Sequence, residues 1–246
     1  MPSVNHPTPP GFIRRRGPKG RVVFEPSEEV YSIHEEFLAG LGKISFPDQC
    51  DCVRPHLKNR FFLKLDLRDA YDSVSAFDVE VFLNLSFGDN WIYFFHQDGG
   101  FIQGAPASHP LFNLYCDEVL DQHLRGYSRV NCLTYTRYVD DLLFSSQGRI
   151  GKKRRRAIRD SIRKSGLVIN EKKAVLVDNK YTPITHVGMR IHRGTVRTTR
   201  EFLAKLANTK EKNPCGCKLK KGLCSCKFDG LMGWGKRVFA LNEERG

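Results

Sequence analysis

Two carboxylates in succession, Asp140 and Asp141, lie inside an apolar run from Leu133 to Ser145. The Tyr, Thr, Leu and Phe content on either side, and its alternation, predict two strands that reverse at the acids. Acids buried at such a tip are costly unless a positive charge meets them. A hard divalent cation, which takes oxygen ligands, is the natural counter-charge. A third acid, Asp66, closes a second apolar strand, Phe61-Phe-Leu-Lys-Leu-Asp66. Three such acids suit an in-line displacement at phosphorus, in which two magnesium ions about 4 Å apart hold the attacking and leaving oxygens. In that chemistry Asp66 and Asp140 bridge the ions, and Asp141 is the weaker ligand.

The rest of the chain points to a polyanionic partner. It has 246 residues, enough for a substantial core, and a formal net charge of +13. The excess is clustered: Arg14, Arg15 and Arg16 with Lys19 and Arg21; Arg149 through Arg156, continuing to Arg159, Arg163 and Lys164; and Lys205 to Lys221. Three such clusters favour a groove that follows phosphates. No run of about 18 apolar residues is present, so no membrane-spanning helix is expected. The N-terminus has the prolines and arginines of a loose arm over 1–13, not the apolar segment of a signal peptide. A cytoplasmic, reducing setting is therefore expected, in which the eight cysteines bind metal or stay as thiols.

Several elements must position these residues. A basic turn and a short strand are predicted over 14–26, and a helix capped by Ser27 runs towards Leu41. Residues 42–58 carry no clear period. Helices are predicted over 74–85 and, most strongly, over 108–124, where Leu111, Leu114, Tyr115, Val119, Leu120 and Leu124 share a face. The aromatic run 91–97 reads as a strand before the turn Asp98-Gly99-Gly100. A basic helix over 152–165 ends at Gly166. Short strands follow at 167–170, 174–177 and 185–192, then helices from Glu201 and over 228–241. The class expected is α+β, a small antiparallel sheet backed by helices.

Six blocks, in order, resemble the reverse transcriptases. Asp66-Leu-Arg-Asp-Ala-Tyr71, Gln103-Gly-Ala-Pro-Ala-Ser108 with Asn113, and Tyr138-Val-Asp-Asp141 resemble the first three palm motifs. Gly166-Leu-Val-Ile-Asn170-Glu-Lys-Lys173 resembles the fourth, His186-Val-Gly188-Met the primer-grip hairpin, and Lys19-Gly-Arg21-Val-Val-Phe-Glu-Pro26 the fingers motif that meets the triphosphate. Gln-Gly-Ala-Pro is typical of the bacterial branch that includes retron, diversity-generating and phage-defence enzymes. The resemblance implies a right-hand polymerase with fingers, a ferredoxin/RRM-like palm and a short helical thumb, with fingers and palm over 14–192 and thumb over 193–246. It implies an RNA-directed DNA polymerase that adds deoxynucleoside triphosphates to a 3′ hydroxyl with two Mg2+ ions. Template-independent or protein-primed DNA synthesis, or a non-catalytic RNA-binding module, would carry the same motifs.

The implied roles fall on named residues. Asp66, Asp140 and Asp141 hold the metals. Tyr71 underlies the incoming sugar and collides with a 2′-hydroxyl. Gln103 and Gly104 meet the nucleotide, Arg21 clamps its triphosphate, and Lys173 lies near the leaving pyrophosphate. Val187 and Gly188 grip the primer. The implied partners are an RNA template or a structured non-coding RNA, a DNA product or RNA/DNA hybrid, dNTPs and an accessory protein. Two features depart from the pattern: His109 follows Ser108 where proline is common, and the Asn-Ala-x-x-His and Val-Thr-Gly signatures of retron enzymes are absent as such. In the expected thumb, Cys215-Gly-Cys217 and Cys224-Ser-Cys226 offer four thiolates that can hold structural zinc. Cys50 and Cys52 form a further C-x-C, and Cys116 and Cys132 are expected in the core.

Overall fold

The computed structural model describes residues 7–16, 22–97, 99–204 and 226–243, and for 226–232 the backbone alone. Arg21, Cys215, Cys217 and Cys224 lie outside the described residues, as does the side chain of Cys226. In chain order the elements are β1 (Phe12–Arg16), β2 (Val22–Pro26), α1 (Glu28–Gly40), α2 (Gln49–Val53), β3 (Phe61–Asp66), α3 (Ala76–Leu83), α4 (Ser108–Cys116), α5 (Gln122–Val130), β4 (Thr134–Tyr138), β5 (Asp141–Ser146), α6 (Lys152–Lys164), β6 (Val175–Asp178), β7 (Ile184–His186), β8 (Met189–His192), β9 (Thr195–Thr198) and α7 (Cys226–Glu243). A π turn, Asp117–Asp121, joins α4 to α5, so the strongest expected helix runs on to Val130. No helix among the described residues is long and apolar enough to cross a membrane.

The chain divides into two compact units. The first comprises Met1–Phe46, Leu65–Asn131 and Gly151–Lys173. Here β1 pairs antiparallel with β2, and Phe12, Phe24, Val30, Ile102 and Ala105 form a core beneath them. Arg14, Arg15 and Arg16 were expected in a turn; they stand in β1, where the buried Phe12 anchors the strand and the arginines face solvent. Ser27 caps α1, its hydroxyl accepting from the Val30 N–H at 3.3 Å, with Glu28 and Glu29 in the first turn where the helix dipole favours acids. The expected strand over 91–97 is instead a 3-10 turn, Gly88–Tyr93, followed by a lone bridge between Phe95 and Phe101. Its aromatic residues serve a ring cluster: Phe94 packs on Phe37 and Phe87, and Phe95 on Phe87 and Phe101. Ring packing in three dimensions, not sheet alternation, explains the aromatic run.

The second unit comprises Pro47–Lys64, Cys132–Ile150 and Ala174–Gly246. Its main sheet has the order β4-β5-β3-β6, with β3 paired antiparallel to β6 from Phe61↔Asp178 to Lys64↔Val175. A second antiparallel sheet, β7-β8-β9, has one core with the ends of the unit's helices: Val53, Phe62, Leu143, Ile184, Met189, Ile191, Val196, Val238 and Leu241. The sequence gives no period over 42–58, yet α2 forms there. Asp48 accepts from the Asp51 N–H at 2.9 Å and Asp51 returns the bond at 3.1 Å, a capping box built on two aspartates. The expected strand over 185–192 is a hairpin, since Val187 (φ 42°) and Gly188 (φ 80°) turn the chain between β7 and β8. Residues 167–170 contribute one bridge, Leu67↔Ile169, rather than a strand. Cys116 is buried as expected, but Cys132 is exposed, because it occupies a left-handed turn position (φ 51°) between α5 and β4 that directs it outward.

Candidate active site

The acidic hairpin is as tight as a hairpin can be. Tyr138 pairs with Asp141, leaving only Val139 and Asp140 in the turn. Val139 takes φ 55°, a left-handed conformation that a β-branched residue adopts only under strain of about 1–3 kcal/mol. The Arg137 guanidinium donates to the Val139 carbonyl at 3.0 Å and helps to hold that turn. The surrounding structure thus over-determines where Asp140 and Asp141 stand.

What braces the hairpin from behind is a buried polar network that the sequence reading did not find. His56 is fully buried, with Nδ1 2.6 Å from Ser145 Oγ and Nε2 2.8 Å from Thr136 Oγ1. Thr136 donates to the Cys52 carbonyl at 2.7 Å, so its oxygen accepts from His56 Nε2–H. Asn59 donates to Ser145 Oγ at 2.7 Å and to Thr134 Oγ1 at 2.8 Å, which leaves the Ser145 proton for His56 Nδ1. A neutral imidazole that donates from Nε2 and accepts at Nδ1 satisfies this network. Burial, reinforced by the nearby His186, pushes the pKa of His56 down to about 3, and burial with the charge of Lys64 does the same to His186. A histidine held neutral in the native state contributes stability that is complete above the unfolded-state pKa and is lost as pH falls from about 6.5 towards 3. Urea unfolding is therefore expected to show a loss of about 2 kcal/mol per histidine between pH 7.5 and 5. Burial also lowers His34, to about 4, so in His56→Gln that pH-dependent loss is expected to shrink by about a third; an unchanged slope would assign the acid sensitivity elsewhere.

One acid of the second unit's hairpin, Asp141, meets a lysine of the same unit. Lys64 Nζ stands 3.0 Å from Asp141 Oδ1 and donates to the Thr185 carbonyl at 3.4 Å. Asp141 Oδ1 is buried, and no hydrogen-bond donor is aligned on it among the described residues. In the first unit, Asp66 is 6% exposed and both its oxygens lie 2.9 Å from Lys173 Nζ. Asn170 N–H donates to the Asp66 carbonyl at 2.8 Å, so the segment 166–173 runs beside Asp66. Among the described residues no three His, Cys, Asp or Glu side chains form a ready-made metal cage. The donor chemistry nonetheless fits a hard cation: these are oxygen donors, each of Asp66 and Asp141 already faces an ammonium group, and one buried carboxylate oxygen lacks an aligned donor.

The nucleotide-contact residues expected in the first unit are held closely. After Asp66 the chain turns through Asp69 (φ 49°) and delivers Tyr71, whose ring meets Phe112 edge-on at 5.1 Å and Phe101 at 6.2 Å. The Phe101 N–H donates to the Tyr71 carbonyl at 3.0 Å. Gly100 makes this approach possible: at φ 87°, a Cβ there would lie 2.7 Å from Asp72 Cα. Gly104 was expected to let backbone approach the nucleotide. Its close approach in the structure is to β2: at φ 108° a Cβ would lie 2.4 Å from the Phe24 carbonyl oxygen, and the Phe24 N–H donates to the Gln103 carbonyl at 2.7 Å. The Gln-Gly loop is thereby locked to the strand that follows Arg21. In the second unit, Val187 and Gly188 form the β7–β8 turn, and the Trp234 ring lies where a Gly188 side chain would point, 3.5 Å away. Lys64, Gly100 and the Phe101–Phe112 wall escaped the sequence reading; the lysine's position two residues before Asp66, on the same face of β3, was the one available signal.

Comparison with known proteins agrees with this arrangement. A family profile described as reverse transcriptase (RNA-dependent DNA polymerase) matches residues 28–203. The retron Ec86 reverse transcriptase of Escherichia coli is 31% identical over 183 residues, covering 67% of this chain and 57% of the relative. The retron Mx65 reverse transcriptase of Myxococcus xanthus is 32% identical over 143 residues, covering 48% of this chain and 33% of the relative. The chain thus spans little more than half the length of the first of these relatives and a third of the second. A solved foamy viral protease-reverse transcriptase, in complex with double-stranded DNA, aligns over 96% of this chain and 39% of its own with a TM-score of 0.54 and 16% identity. That likeness is one of fold, a right-hand polymerase-like α+β architecture. With the profile covering most of its length, the chain belongs to the reverse transcriptase family.

Proposed function

We propose that the protein is an RNA-directed DNA polymerase of retron type, extending a 3′ hydroxyl with deoxynucleoside triphosphates along an RNA template. The observation that carries this reading is the placement of acids at strand ends. Asp66 ends β3 and Asp141 begins β5, neighbouring strands of one sheet, and Asp140 occupies the strained turn beside it. In this reading Asp66, Asp140 and Asp141 hold two magnesium ions, which supply a clamp for the attacking and leaving oxygens when bound. The chain's own residues do the rest. Tyr71, backed by Phe101 and Phe112, sets the floor for the sugar. Gln103 and Gly104 hold the nucleotide's edge, with Arg21 on its triphosphate. Lys173, about half exposed, can leave Asp66 and place its charge on the departing pyrophosphate. Val187 and Gly188 steady the primer end.

The partners follow from the charge: a structured RNA, its DNA copy and dNTPs, gripped mainly through phosphates and so with a steep salt dependence. α6 presents Lys152, Lys153, Arg156, Arg163 and Lys164 to solvent, in keeping with such a partner. A structural zinc on Cys215, Cys217, Cys224 and Cys226 belongs to the same reading, and elemental analysis of purified protein is expected to return one zinc per chain.

Primer extension tests the function. Purified protein, an RNA template annealed to a primer, dNTPs and Mg2+ are expected to yield full-length complementary DNA. Product that ignores the template sequence would replace this reading with template-independent synthesis. DNA that stays covalently bound to denatured protein would point to protein priming.

A further inference from the structure

Lys64 is a charged residue that the proposed chemistry leaves without a task, and its surroundings assign one. It is only 20% exposed, on the face of β3 that carries Asp66, and its ammonium lies 3.0 Å from Asp141 Oδ1. Its hydrogen bond goes elsewhere, to the Thr185 carbonyl on β7 at 3.4 Å, one residue before His186 and the β7–β8 turn. Asp141 Oδ1 is thus compensated in charge but not capped by a donor.

We propose that Lys64 is a positioning residue that acts as the built-in counter-ion of Asp141: it neutralises the carboxylate while no metal is bound, and leaves the carboxylate lone pair open for the cation. The inference rests on the metal role proposed for Asp141. Two adjacent carboxylates repel one another, and a fixed positive charge beside Asp141 offsets that repulsion before loading. The tether to Thr185 distinguishes Lys64 from Lys173. Lys173 is 52% exposed and bonded to both oxygens of Asp66, so it must move before a cation can bind there. Lys64 is held by a second acceptor, the Thr185 carbonyl, which does not depend on Asp141. It also joins the acidic turn to the strand leading into the expected primer grip, both within the second unit.

The test uses the full chain without nucleic acid, with Mn2+ as the probe. In Lys64→Met, Asp141 loses its compensating charge, so the metal-free protein is expected to melt earlier and to gain more thermal stability from Mn2+ than wild type does. Mn2+ affinity, followed by the loss of the free-ion paramagnetic resonance signal, is expected to tighten about tenfold. Lys64→Arg, which keeps the charge, is expected to bind Mn2+ as wild type does. Asp141→Asn is the control for the parent reading and is expected to weaken Mn2+ binding in every background. If Asp141→Asn weakens binding but Lys64→Met leaves it unchanged or weaker, the counter-ion role is overturned and the metal role of Asp141 stands. If neither substitution alters binding, both are overturned.

Discussion

Asp140→Ala is expected to abolish DNA synthesis, lowering the rate of nucleotide addition about a thousandfold or more, while changing affinity for a primer–template duplex by no more than about threefold. The size follows from the task proposed for the carboxylate. Metal stabilisation of charge on the transferring phosphoryl oxygens is worth several kcal/mol, and each 1.36 kcal/mol is a factor of ten in rate. The selectivity follows from charge. In the proposed function nucleic acid is gripped through a +13 excess spread over several clusters, and removing one negative charge from a turn subtracts nothing from that grip. Asp140 occupies a two-residue turn rather than the core, so the fold is expected to survive the change. Single-nucleotide incorporation under rapid quench and a filter-binding isotherm on the same preparation separate the two effects. Equal loss of synthesis and binding would mean that Asp140 supports the shape of the site rather than its chemistry.

Much of this site was legible because its residues contradict their surroundings. Asp66, Asp140 and Asp141 are acids set among apolar strand residues, and that conflict between local composition and chemistry is what singled them out for the proposed site. The helices starting at 28, 108 and 152 announced themselves through Ser27, through the apolar face of Leu111, Tyr115 and Leu124, and through Gly166, although the second was expected to stop at Leu124 and continues to Val130. What stayed hidden depends on contacts between distant residues. His56 is one histidine in a patternless stretch until Ser145, Thr136 and Asn59 close around it. α2 is invisible to periodicity because it is only five residues long and is specified by its two-aspartate cap. The aromatic run 91–97 has strand composition, but its rings pack on Phe37 and Phe101, to which no local pattern could point. The proposed metal ligands were read as residue types; that Lys64 and Lys173 face Asp141 and Asp66 is a matter of geometry.

Tyr71→Ala is expected to admit ribonucleotides, cutting the preference for dNTPs over rNTPs by about ten- to a hundredfold. In the proposed site the ring excludes the 2′-hydroxyl by occupying its volume, and overpacking of that kind costs about 1–3 kcal/mol, which converts to that range of discrimination. The structure explains why the ring cannot give way. Phe112 meets it edge-on at 5.1 Å and Phe101 at 6.2 Å, and the Tyr71 carbonyl is held by the Phe101 N–H. Behind that lies Gly100, whose missing Cβ lets the 99–101 turn press against Asp72. A gate works only if its hinge is fixed, and here both ring and backbone are fixed. Tyr71→Phe keeps the volume and the edge-on packing, so it is expected to retain the preference and isolate the steric contribution from that of the hydroxyl. Steady-state incorporation of matched dNTP and rNTP pairs gives the ratio directly. Unchanged discrimination in Tyr71→Ala, with dNTP incorporation intact, would remove Tyr71 from the sugar site and leave it as one more ring in the first unit's aromatic core.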